Sequence, residues 1–177
     1  AYFKALNDAC PDVPIIIYDR ANRARRTFDA DLCRRNSEQA SVIGIKPETT
    51  PGIGGREKVA ELSDLLSVFV GENSLIDYVP HGAKGCYSSL VYMNPCQSLR
   101  LYEFCSNQEY DRARSIHDDF DKLIRIGLSP FRNSGYVATI YDRLMGMVTG
   151  FLGTDYYRVR APYPSTCRAH VDQLRSW

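Results

Sequence analysis

Two neighbouring apolar segments each close on a side chain that can do chemistry. Val13-Pro14-Ile15-Ile16-Ile17 ends in Tyr18, and Ser41-Val42-Ile43-Gly44-Ile45 ends in Lys46. A lysine whose head sits in a dry pocket loses hydration, its pKa falls, and the amine becomes a nucleophile for carbonyl carbon, the requirement of Schiff-base chemistry. A tyrosine beside it can relay protons to and from the adduct. Plainer readings stand next to these. Lys46 could snorkel from a strand end into solvent, and Tyr18 could be a strand-end aromatic packed on a neighbouring helix.

The elements that must position this pair follow from the hydrophobic pattern. The run ending in Lys46 reads as a strand buried on both faces, as in a parallel sheet. Further strands are expected at 13–18, 67–71 and, more weakly, 85–88. Between them, Asp29 can cap a helix over 30–36, the face Val59, Leu62 and Leu66 marks a helix over 57–66, and Leu75, Ile76 and Val79 mark a short one. The proline- and glycine-bearing stretch 47–55 is a loop. After Ser88 the pattern is helical. A helix opened by Asn94 and Pro95 runs through Leu99, Leu101 and Phe104, and one over 108–126 carries Tyr110, Ala113, His117, Phe120 and Ile124. Helices over 136–147 and 165–177 follow. The first residues, Tyr2 to Leu6, read as the middle of a helix, so the chain is expected to start inside a larger fold.

Four strand–helix units imply parallel strands with right-handed crossovers, as an open doubly wound sheet or as part of a (β/α)8 barrel. No G-x-G-x-x-G or Walker-type loop follows any strand, which weakens the nucleotide-binding option; Gly52 to Gly55 has the wrong spacing. A phosphate site made from that loop and Arg20, Arg23, Arg25 and Arg26 remains a minor alternative. In a barrel, active sites are built at the C-terminal ends of the strands. There Tyr18, Lys46, Gly71 and the pair Tyr87-Ser88 would surround one mouth, with Gly71 leaving room for a ligand.

Composition narrows the function classes. Hydrophobic residues make up 44% of the 177 residues and charged ones 24%, ordinary for a globular domain. A net charge of +1 gives no case for nucleic acid as a partner. No stretch approaches the roughly 20 apolar residues of a membrane span, and no signal peptide is visible. The six cysteines are irregularly spaced and the three histidines lie far apart, so neither a metal site nor a redox motif is expected, and reduced thiols suit a cytoplasmic setting.

Ile15-Ile16-Ile17-Tyr18-Asp19 followed by Val42-Ile43-Gly44-Ile45-Lys46 resembles the dihydrodipicolinate synthase / N-acetylneuraminate lyase family of class I aldolases. The steps from Tyr18 to Lys46 and from Lys46 to Gly71 fit that family, and Gly82-Ala83-Lys84-Gly85-Cys86-Tyr87-Ser88 resembles its Gly-x-x-Gly-x-x-Ser segment. The helices from Asn94 onward match its C-terminal helices in length and place, and 158–164 resembles its closing Arg-x-Pro segment. The resemblance implies strands five to eight of a (β/α)8 barrel over 1–93. The last barrel helix and a C-terminal helical appendix would take up 94–177, the whole forming one incomplete domain.

By position, the resemblance implies that Lys46 forms a Schiff base with pyruvate or a related 2-keto acid, that Tyr18 relays protons, and that no cofactor is needed. Arg23 would grip a substrate carboxylate with its bidentate guanidinium, though a solvated loop charge is as good a reading. Tyr18-Asp19-Arg20-Ala21-Asn22 departs from the Tyr-Asn-x-Pro-x-Arg-x-Gly run of the synthases. It looks closer to sugar-acid dehydratases such as those acting on 4-deoxy-5-oxoglucarate. The family's first four strands, with the Gly-x-Thr-Thr loop that binds the pyruvate carboxylate, have no counterpart here; Thr49-Thr50 follows the wrong strand. Half a barrel exposes two sheet edges. The chain is therefore expected to need a complementary chain or a second copy of itself, and could be a non-catalytic fragment on its own.

Overall fold

In a computed structural model, which describes residues 2–20, 28–49, 55–153 and 157–177, the chain divides into two units, Ala1–Tyr87 and Ser88–Trp177. The first unit alternates strand and helix. Helix α1 (Tyr2–Ala9) leads to β1 (Ile15–Tyr18), α2 (Ala30–Gln39), β2 (Val42–Lys46), α3 (Arg56–Ser63) and β3 (Ser67–Gly71). The short α4 (Leu75–Tyr78) follows, flanked by 3-10 turns, and β4 (Gly85–Tyr87) ends the unit. The four strands form one parallel sheet in the order β1-β2-β3-β4. Asp29 caps α2 as its type and place predict, its side chain accepting from Leu32 N at 2.7 Å. Residues 47–49 and Gly55 lie outside regular elements, in keeping with the expected loop, and its middle lies outside the described residues.

One face of the sheet is packed. Ile17, Ile45 and Val68 stand in register across three strands and all are buried, with Val59 and Leu62 of α3 also in the core. The other face is open, which corrects the expectation that β2 is buried on both sides. Ile43 is 52% exposed and Ile16 40%. The physical reason is twofold: no element of the first unit buries these two residues, and β2 carries a bulge. Ile15 pairs with Val42 but Ile16 pairs with Gly44, so Ile43 is an extra residue left outside the ladder.

A tight turn ties α3 to the approach of β4. Gly82 has a φ of +97°, and a Cβ there would lie 2.2 Å from Ser63 Oγ. The hydroxyl of Ser63 in turn donates to the His81 carbonyl at 3.3 Å. Only glycine meets both conditions comfortably.

The second unit is helical. It contains α5 (Pro95–Ser106), α6 (Tyr110–Lys122) running into a π-helical turn at Leu123–Gly127, α7 (Ser129–Asn133), α8 (Ala138–Val148) and α9 (Arg168–Arg175). Asn94 caps α5 by accepting from Gln97 N at 3.1 Å, with Pro95 in the first turn. Leu101, Cys105, Ala113, Leu144, Met145 and Leu174 are fully or almost fully buried. The face of α6 corrects the expected one: Ala113, Ile116, Phe120 and Leu123 are buried, while His117 and Ile124 lie one residue further round. The two faces differ by a single step, and packing selects the more apolar. Leu99, expected on the apolar face of α5, is exposed, and α7 is an additional helix that its sequence pattern did not mark.

Candidate active site

The C-terminal ends of β1 and β2 meet at the two chemical side chains. Tyr18 and Lys46 are register partners, and Lys46 Nζ lies 4.5 Å from the centroid of the Tyr18 ring. An ammonium over a tyrosine face is attracted by the ring quadrupole. Arg20 stands over the same ring at 5.7 Å. Tyr18 is 59% exposed. Lys46 is half-buried rather than enclosed.

Gly44, one row deeper on the open face, explains how this surface is built. A Cβ there would lie 3.0 Å from the Ser67 carbonyl oxygen, 3.3 Å from Ile16 Cγ1 and 3.4 Å from the Phe69 ring. The missing side chain lets Ile16 and Phe69 close over β2 beneath Lys46. The Phe69 ring meets Tyr87 edge to face at 5.6 Å between centroids, and Tyr87 is itself the register partner of Gly71. Gly71 thus sits at the strand end as expected, with a tyrosine on the adjacent strand; a Cβ on it would come within 3.1 Å of Asn73 Oδ1.

Ser88 begins the second unit, where its hydroxyl accepts from Val91 N at 3.0 Å and so supports the 3-10 turn Leu90–Tyr92. Arg23 lies outside the described residues, as do Arg25, Arg26 and Gly52 to Gly54. Among the described residues there is no group of three or more His, Cys, Asp or Glu side chains able to hold a metal ion.

Two buried acids flank the strand ends and were not singled out from the sequence. Asp19, directly after Tyr18, is 2% exposed; its Oδ2 accepts from Phe28 N at 3.1 Å and faces Lys58 Nζ at 3.8 Å. Glu72, directly after Gly71, is 3% exposed. The available signal was position: an acid immediately after an apolar run is either a loop charge or a buried ion, and only tertiary structure decides.

A family model, that of the dihydrodipicolinate synthetase family, matches residues 1–164. The chain belongs to that family. A curated relative, the 4-hydroxy-tetrahydrodipicolinate synthase of Methanospirillum hungatei, is 23% identical over 117 residues, 64% of this chain and 40% of the relative. The dihydrodipicolinate synthase of Aquifex aeolicus superposes with a TM-score of 0.78 at 23% identity, covering 99% of this chain and 57% of that one. The N-acetylneuraminate lyase of Fusobacterium nucleatum does so with a TM-score of 0.77 at 18% identity, covering 99% and 57%. The fold of this family member is therefore part of a (β/α)8 barrel, and the chain spans about two fifths of the curated relative and little more than half of the solved structures.

Proposed function

We propose that this chain carries the nucleophile-bearing part of a Schiff-base-forming lyase or synthase acting on pyruvate or a related 2-keto acid. The observation that supports it most is the Lys46 amine held 4.5 Å from the Tyr18 ring on paired strand ends. The unprotonated Lys46 Nζ attacks the keto carbon, water is expelled, and an iminium forms. The iminium withdraws electrons from the neighbouring carbon, which can then lose a proton to give an enamine or break a bond to its other substituent. The Tyr18 phenol would carry the protons these steps release and consume. Hydrolysis of the iminium returns the free amine. The iminium is its own electron sink, so this route calls on no cofactor.

Arg23 is the candidate for binding a substrate carboxylate, and Gly71, Tyr87 and Ser88 are the candidates for lining the substrate's path. Strands β1 to β4 would then be strands five to eight of the barrel, with 94–177 supplying the last barrel helix and the C-terminal appendix. The run Tyr18-Asp19-Arg20-Ala21-Asn22 favours a sugar-acid dehydratase as the variant of this chemistry. A second reading, a non-catalytic half-barrel awaiting a complementary chain or a second copy, is favoured by the exposure of Ile16, Tyr18, Ile43 and Tyr87.

Incubation with pyruvate and borohydride tests the first reading. A reduced adduct on Lys46, located by mass spectrometry, is expected; an adduct on another residue, or none when the complementary half is supplied, would sink it. Size-exclusion chromatography tests the second reading, since a well-folded monomer that binds no complement counts against it.

A further inference from the structure

We propose that Asp19 is a positioning residue for the Tyr18–Lys46 pair, a buried carboxylate that clamps the end of β1 with Lys58 as its counter-ion. The proposal deepens the Schiff-base reading of Lys46 and rests on it.

The problem this clamp solves is visible in β1. The strand is four residues long and, among the described residues, pairs only with β2. Tyr18 is its last residue and is mostly exposed, so packing does little to fix its ring. Any swing of the chain after Tyr18 would carry the phenol off the lysine.

Asp19 removes that freedom at three points. Its backbone N donates to the carbonyl oxygen of Lys46 itself at 3.0 Å. Its carboxylate Oδ2 accepts from Phe28 N at 3.1 Å, where the chain approaches α2. The same oxygen faces Lys58 Nζ on α3 at 3.8 Å. Tyr18 is therefore followed by a residue tied at once to the proposed nucleophile's own backbone, to the entry of one helix and to the body of another.

The chemistry of the choice is informative. The Asp19 side chain is 1% exposed and that of Lys58 19%, so this is an ion pair taken largely out of water. Burying a carboxylate is costly unless it is both paired and hydrogen-bonded, and an apolar substitute often does as well for stability. A charged clamp has what an apolar plug lacks, which is direction. A carboxylate oxygen shared between an N–H and an ammonium fixes the orientation of the residue that bears it.

The test uses the full chain and two readouts. With Lys46 Nζ 4.5 Å from the Tyr18 ring centroid, the ε-methylene protons on the adjoining carbon should show an upfield ring-current shift in the NMR spectrum. Borohydride trapping with pyruvate reports the reactivity of the amine. Asp19→Ala should abolish the ring-current shift and slow trapping roughly tenfold or more, since small misplacements of reacting groups carry large rate penalties. Lys58→Met should move both readouts in the same direction, and Lys58→Arg, which keeps the charge, should restore them. A purely structural role would lower the melting temperature while leaving the shift and the trapping rate of folded protein unchanged. A wild-type shift in Asp19→Ala, or in Lys58→Met if Asp19→Ala does not fold, overturns the proposal. If the wild-type chain traps no adduct but the shift still depends on Asp19, the Schiff-base reading fails and the clamp stands.

Discussion

Lys46 stands at a half-buried strand end, where its side chain contributes little to the core. Lys46→Ala should therefore eliminate the borohydride-trapped adduct while changing stability by no more than about 0.5 kcal/mol, as surface substitutions usually do. Tyr18→Phe keeps an aromatic ring at this position and removes the hydroxyl proposed to carry protons. Turnover should fall by roughly 10²- to 10⁴-fold while the adduct still forms, and single-turnover kinetics would separate the two steps. The cysteines offer a prediction of another kind. Burial pushes the thiols of Cys33 and Cys105 up from 9.0 to about 11, with the charge of Asp29 adding to the effect at Cys33. Between those values the unfolded chain gives up protons that the folded chain keeps. Stability is thus fully present below about pH 9 and declines as pH rises toward 11, a slope that urea titrations should reveal and that Cys33→Ala with Cys105→Ala should flatten.

Among the elements, those with strong periodicity and clear caps were legible in the sequence. The strand ends at Tyr18, Lys46 and Gly71 and the caps Asp29 and Asn94 stand where their residue types place them. What escaped is whatever depends on a choice between near-equal alternatives. On α6, the expected face through His117 and the buried one through Ile116 share Ala113 and Phe120 and differ by a single step. Ile116→Ala should cost about 2–4 kcal/mol in urea unfolding and His117→Ala far less; the reverse order would contradict the burial of Ile116. The clamp at Asp19 escaped because an acid after a strand normally marks a solvated loop. The openness of one sheet face escaped because Ile16 and Ile43 are the residues expected in an enclosed strand. Gly82 is a further check at this scale: with a φ of +97° and Ser63 in the way, Gly82→Ala should destabilise the chain by about 1–3 kcal/mol.

At the scale of the molecule, Ile16, Tyr18, Ile43 and Tyr87 leave an apolar surface on the strands in contact with solvent. On the half-barrel reading proposed above, a complementary element would cover these residues. Mixing the chain with the first four strand–helix units of a family member should lower the fluorescence of a hydrophobic dye and raise the yield of Lys46 adduct; a second copy would give the first effect with a doubled mass. No helix among the described residues is long and apolar enough to cross a membrane.

The bulge at Ile43 has a bearing on how much change the site can absorb. Val42 and Ile45 are both buried although three positions apart, which strict alternation forbids. The extra residue between them is a phase break, and it lies upstream of Gly44, Ile45 and Lys46. A one-residue loss at that point would regularise the ladder, leaving Val42 opposite Ile15 and Lys46 opposite Tyr18. The same loss beyond Gly44 would turn the amine to the helix-covered side. Lys46 is thereby buffered against a one-residue deletion on one side of Gly44 and fully sensitive to it on the other, so the two halves of a five-residue strand should differ sharply in their tolerance of shortening.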